Sequence, residues 1–127
     1  MILSLTDLSA ESLQSQISRQ ILAKVLAGEL SAEDALPSIR GLAREQKISV
    51  ITVQRAYETL ERDGLVHSRR GKGFFVSELS EETKKEMAKG RLAENLEPQL
   101  KTAMAEGLST DDISDVLSSL LNDHKGN

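Results

Sequence analysis

The run LPSIRGLAREQKISVITVQRAYETLERDGLVHSRRGKGFFVS, residues 36–77, carries the pattern from which the architecture follows. Pro37 restricts Leu36 to extended geometry, and Ser38 then stands as the capping residue of a helix over 39–46 that turns Ile39, Leu42 and Ala43 inward. A tight turn at Lys47-Ile48 leads to a second capping residue, Ser49, and to a helix over 50–63 that Gly64 stops. Two short helices separated by about three residues form a helix-turn-helix. Leu65, Val66, Phe74, Phe75 and Val76 are strand formers on either side of Gly71-Lys72-Gly73, which predicts a β-hairpin with a basic tip. A helix-turn-helix followed at once by such a hairpin is a winged helix.

Upstream, Leu13, Ile17, Ile21, Leu22, Val25 and Leu26 recur at helical spacing over 11–27, and Gly28 supplies a left-handed stop. Residues 29–37 read as a loop. Downstream, from Ser80, the chain returns to helix with two apolar stripes. Leu92, Leu96, Leu100 and Ala103 form the first, which Gly107 ends, and Ile113, Val116, Leu117, Leu120 and Leu121 form the second. Ser109 with Asp112 three residues later starts the second helix as an acidic variant of the capping box. Pro98 either kinks one long helix or opens a new one capped by Asn95. The expected fold is mainly α with a small β-hairpin wing: a winged helix-turn-helix over 1–77 and a two-helix appendage over 78–127. Two amphipathic helices of this size need a partner for their stripes, either the winged helix or a second copy of the chain.

The helix over 50–63 has two faces. At 100° per residue Val53, Ala56, Tyr57 and Leu60 cluster toward the core. Ile51, Arg55, Glu58 and Arg62 fall opposite, with Thr52, Gln54 and Thr59 on the flanks. Ile51, Thr52, Gln54 and Arg55 are therefore presented outward from the first half, a set able to read a major groove: Arg pairs with guanine, Gln with adenine, and an apolar group meets the thymine methyl. The hairpin tip Arg69-Arg70-Gly71-Lys72-Gly73 combines cations with glycines that let backbone N–H groups approach a phosphate. Arg40 lies in the first turn of its helix, where a cation opposes the dipole, so a phosphate or base contact explains it better than helix stability does. Asp111, Asp112 and Asp115 are explained by the dipole of the last helix, and no metal site is assigned to them.

The chain has 127 residues, no cysteine, no tryptophan and only three aromatics, so its core rests on Leu, Ile, Val and Ala. Without cysteine there is no disulfide framework, thiolate metal site or cysteine nucleophile. His67 and His124 are too few for most metal or triad chemistry, and no carboxylate pair or Ser-His-Asp set stands out. No enzyme and no cofactor is expected. No stretch approaches the ~18 apolar residues of a membrane span, which suggests a soluble, intracellular protein. The net charge of -4 divides unevenly. Residues 1–77 hold 10 Lys/Arg and 9 Asp/Glu, a net +1, whereas residues 78–127 hold 6 and 11, a net -5. Within residues 40–77 the ratio is 8 basic to 4 acidic. An acidic appendage thus masks a basic edge, and overall acidity does not exclude nucleic acid.

With Leu-Pro-Ser-x-Arg at 36–40, the run TVQRAYETLERDGL at 52–65 and the basic GKGFFV wing at 71–76, residues 36–77 resemble the winged helix of the GntR family of bacterial transcription regulators. The short helical tail resembles the YtrA-like subgroup. The resemblance implies a cytoplasmic, sequence-specific regulator, usually a repressor, that binds double-stranded DNA at an inverted-repeat operator as a homodimer joined through its C-terminal helices. It matches a base-reading Arg to Arg40, a helix-three threonine to Thr52 and a minor-groove glycine to Gly71. DNA contacts are thus expected at Arg40, Ser49, Ile51, Thr52, Gln54, Arg55, Arg69, Arg70, Gly71 and Lys72, and dimer contacts at Leu92, Leu96, Leu100, Ile113, Val116, Leu117, Leu120 and Leu121. Many members carry Arg where this chain has Val50 and Gln54, and YtrA-like members often have Asn-Pro-Asn-Thr in place of Ser49-Val50-Ile51-Thr52, so a relative's operator does not transfer. The alternative is a winged helix that binds a protein partner through Val50, Ile51 and the tail stripes.

Overall fold

The computed structural model describes residues 1–125. Its elements are α1 (Leu13–Leu26), α2 (Ile39–Gln46), α3 (Val50–Arg62), β1 (Val66–Arg69), β2 (Gly73–Val76), α4 (Glu81–Ala105) and α5 (Thr110–Lys125). The fold is a mainly helical winged helix with one antiparallel hairpin. Two compact units divide it, one from Met1 to Lys84 and one from Lys85 onward. The last two positions of the expected 78–127 tail lie outside the described residues.

Helix α3 is the hub of the first unit and packs against α1, α2 and β1. Its inward residues Val53, Ala56, Tyr57 and Leu60 are buried, as the 3.6-residue spacing predicts. Ile17, Ile21 and Val25 of α1 meet them, together with Leu42 and Ala43 of α2, and Leu65, Val66 and Val76 close the core from the hairpin. Each buried Val, Leu or Ile side chain contributes about 1.5–3 kcal/mol on leaving water. The hairpin is paired Val66 to Val76, His67 to Phe75, Ser68 to Phe74 and Arg69 to Gly73. Period-two alternation buries Val66 and Val76 on one face and leaves His67, Phe75 and Arg69 on the other.

Several expectations change. The helix predicted over 11–27 runs from Leu13 to Leu26, because Ser12 caps it by accepting the Ser15 N–H at 3.1 Å. Glu11 stays outside and receives Arg19 and Ser15. Residues 33–36, read as loop, add a short antiparallel bridge to the free edge of β2. Glu33 N–H donates to Val76 O at 2.8 Å, Val76 N–H to Asp34 O at 2.9 Å, and Leu36 N–H to Phe74 O at 2.9 Å. Gly73 belongs to β2, and the turn is Arg70-Gly71-Lys72. Pro98 lies inside one continuous α4, so Asn95 starts no new helix. The Thr102 hydroxyl donates to the Pro98 carbonyl at 3.0 Å.

The second unit has no buried residue in either helix among the described residues. Its best-defined local feature is the reciprocal capping box: Asp112 N–H donates to Ser109 Oγ at 3.1 Å and Ser109 N–H to Asp112 Oδ2 at 2.9 Å. The Ser109 backbone N–H holds the Asp112 carboxyl below the usual carboxylate range.

An extended N-terminal arm is attached to α1 through two glutamines. Gln20 exchanges two hydrogen bonds with the Ser4 backbone, at 2.8 and 2.7 Å, and Gln16 does the same with Thr6 at 3.0 and 2.7 Å. Four residues of helix rise about 6 Å and two residues of strand about 6.8 Å, so side-chain amides one turn apart match alternate backbone positions. Gln16 is 2% exposed and donates also to Glu11 O at 2.8 Å, whereas the Gln20 bonds are exposed. Gln16→Leu therefore lowers unfolding free energy by about 2–3 kcal/mol in urea titrations, and Gln20→Leu by less than about 1 kcal/mol.

Candidate nucleic-acid interface

Helix α2 begins where Ser38 Oγ accepts the Gly41 N–H at 3.0 Å. A Cβ on Gly41 would stand 2.7 Å from that oxygen, so the cap itself requires glycine there. Arg40 is then fixed in the exposed first turn. Lys47 adopts φ 57° and Ile48 N–H returns to Ala43 O at 3.0 Å, which closes α2 in a left-handed cap. Ser49 Oγ accepts the Thr52 N–H at 3.1 Å and opens α3 two residues after that cap.

The outward face of α3 divides by how its side chains are engaged. Ser49 and Thr52 hydroxyls are 2.7 Å apart, and the Gln54 amide donates to Glu58 at 3.0 Å. Arg55 is exposed with no ion-pair partner among the described residues. Val50 and Ile51 are 45% and 50% exposed on a helix whose other face is fully enclosed. Val50 thus lies on the outer side. Tyr57 secures the inner side: its hydroxyl donates to Pro37 O at 2.8 Å, and burial pushes the phenol far above its ordinary range.

At the wing, Lys72 N–H closes a turn on Arg69 O at 2.9 Å with Gly71 at φ 76°. Nothing approaches within 4 Å of a Cβ built on Gly71, so the backbone angle, and not lack of space, requires glycine. Arg70 and Lys72 project from this tip with no ion-pair partner among the described residues. Arg69 behaves differently: its guanidinium pairs with Glu33 and lies 4.8 Å from the Phe75 ring centroid. Among the described residues Arg40, Arg44, Lys47, Arg55, Arg70 and Lys72 are all unpaired; in the tail Lys84, Lys89 and Lys101 pair one turn away with Glu81, Glu86 and Glu97, and Lys85, Arg91 and Lys125 do not pair. Arg44 and Lys47 were not singled out from the sequence, where only their sign was visible. Free cations and exposed apolar groups on a helix of groove-sized diameter suit phosphate contact and base-edge contact respectively.

Residues 13–76 match the family model described as bacterial regulatory proteins, gntR family. Two Bacillus subtilis (strain 168) proteins align over most of the chain. The uncharacterized HTH-type transcriptional regulator YhcF is 34% identical over 110 residues, covering 80% of this chain and 91% of YhcF. The HTH-type transcriptional repressor YtrA is 30% identical over 118 residues, covering 93% and 91%. The crystal structure of a transcriptional regulator from Oenococcus oeni superposes with a TM-score of 0.72 at 27% identity, covering 93% of this chain and 96% of that one.

Because half of Ile51 is already in water, Ile51→Ser changes unfolding free energy by less than about 0.5 kcal/mol in urea titrations. A loss several times larger shows that this side chain serves the core.

Proposed function

The chain belongs to the gntR family of bacterial regulatory proteins, and from that premise we propose that it is a transcriptional regulator, acting as a repressor, that binds an inverted-repeat DNA operator as a homodimer. The observation that carries this reading is the division of α3. Its buried face fixes the helix in the core while Ile51, Arg55 and Gln54 face outward, beside a helix that presents Arg40. In this reading α3 enters the major groove, where Ile51 and Thr52 meet thymine methyls and Arg55 and Gln54 meet base edges or phosphates. Arg40 contacts a phosphate or base at the α2 start, Ser49 orients the first turn of α3, and Arg70, Gly71 and Lys72 approach the minor groove. The similarity to a protein named as a repressor, YtrA, supports the direction of control. Among the described residues no helix is long and apolar enough to cross a membrane, in keeping with a regulator working in the cytoplasm.

Residues 1–77 form the DNA-binding domain and residues 78–127 the dimerisation tail in this proposal. Val116, Leu117, Leu120 and Leu121 are 36–64% exposed on α5, and Leu92 is 59% exposed on α4. Leu96, Leu100 and Ile113 border the groove between these helices. A second copy covers such stripes with a self-complementary interface, and the dyad sets two α3 helices about one DNA turn apart.

Fluorescence anisotropy of the full chain on its own upstream region tests the DNA reading. Four free cations, Arg40, Arg55, Arg70 and Lys72, in each of two protomers give a slope of log K against log salt of about -7, and Arg40→Ala reduces it by about 2 with an unchanged melting temperature. Binding that ignores salt overturns the proposal and favours a protein partner. For the tail, Leu117→Asp combined with Leu121→Asp converts a sedimenting dimer to a monomer; a persistent dimer refutes its role.

A further inference from the structure

One carboxylate on the wing has no part in the reading above. Glu33 pairs with Arg69 and stands 3.6 Å from His67 Nε2. Arg69 covers the Phe75 ring at 4.8 Å, and His67 stacks with the same ring at 6.1 Å and 27°. Register explains the grouping. His67 is paired with Phe75 across the hairpin, Arg69 lies two residues beyond His67 on β1, and Ala35 bridges Phe75 from the other edge, two residues after Glu33. Two-residue periodicity places His67, Arg69 and Phe75 on the outer face of the sheet, and the Glu33 carboxylate reaches Arg69 from the turn before the bridge.

Glu33 also occupies an unfavourable backbone position. Its φ is 70°, in the left-handed region that favours glycine. Glu33 N–H donates to Val76 O and Val76 N–H to Asp34 O, which hold this turn against β2, and glycine would meet its φ with less strain. The carboxylate is thus the feature that a glycine would not supply. The pair is half exposed on each side, so its direct contribution to stability is small. Its effect on charge matters more: an arginine already paired with a carboxylate of its own chain has less charge to offer a phosphate.

We propose that Glu33 is a positioning residue that serves as the internal counterion of Arg69, pinning it over Phe75 so that the wing offers Arg70 and Lys72, and not Arg69, to phosphate. The proposal rests on the DNA-binding reading and assigns Arg69, one of the sequence-derived contact candidates, to the support of the wing. Its consequence is a limited phosphate footprint: two cations per wing in place of three.

The test measures the salt dependence of full-chain binding to the upstream fragment and to a random duplex of equal length, with melting temperatures as a control for folding. Glu33→Gln frees Arg69 and steepens the slope of log K against log salt by about 0.9 per bound protomer on both duplexes. Glu33→Gly, which relieves the backbone while removing the carboxylate, gives the same steepening. Arg69→Gln alone leaves the wild-type slope unchanged, and added to Glu33→Gln it abolishes the increase. Wild-type slopes in both Glu33 variants, or a slope shallower by about 0.9 in Arg69→Gln alone, overturn the proposal while leaving DNA binding in place. A wild type that binds neither duplex, or binds without salt dependence, overturns the DNA reading and this inference with it.

Discussion

Tyr57 is completely enclosed, and three parts of the first unit meet on it. Its backbone belongs to α3, its hydroxyl donates to Pro37 at the entry to α2, and its ring lies edge-on to Phe74 of β2 at 5.2 Å. An edge-to-face pair and a buried hydrogen bond are both directional, so they fix orientation where aliphatic burial alone fixes only proximity. Two of the chain's three aromatic rings are used in this one contact. Burial disfavours the charged form of the phenol, so its O–H remains available to Pro37 even into the alkaline range where an exposed tyrosine ionises. Shifting the α3 axis would strain both the turn into α2 and the wing, and this ties the three elements of the interface to one frame.

With its inner face committed, α3 exposes the opposite face by geometry. Local hydrogen bonds then consume some of the polar groups on that face: Ser49 caps, Thr52 meets Ser49, and Gln54 meets Glu58. The side chains left without such bonds are Val50, Ile51 and Arg55. Charges on this unit are also partly left over: six cations between Arg40 and Lys72 have no ion-pair partner among the described residues, against four acidic residues in the same stretch. An acidic net charge therefore coexists with an unneutralised basic edge.

Features whose cause is local were legible in the sequence. Ser38, Ser49 and Ser109 all cap helices because a cap depends on a residue and its third neighbour, and the buried set of α3 follows from a 100° step. Longer-range features left no comparable pattern. Residues 33–36 bridge β2 through backbone atoms alone, and so few residues cannot display a period. Gln16 and Gln20 look like ordinary polar positions of an amphipathic helix until the arm is placed against them. Glu33 and Arg69 are 36 residues apart and meet only after the bridge forms, so the triple cation run at the tip read as three equivalent charges. Pro98 was ambiguous because a helix that loses one hydrogen bond differs by only a few kcal/mol from one that restarts.

The number of free cations has a consequence for discrimination. Phosphate contacts raise affinity for every DNA sequence equally, whereas base-edge contacts from α3 separate one sequence from another. A regulator must find its site among a very large excess of other DNA, so every additional phosphate contact also increases the competing population. In the proposed reading, the pairing of Arg69 with Glu33 removes one phosphate contact per protomer from the sequence-independent part of binding. In the proposed reading discrimination rests on Ile51, Thr52, Gln54 and Arg55, and on how rigidly Tyr57 holds the helix that carries them.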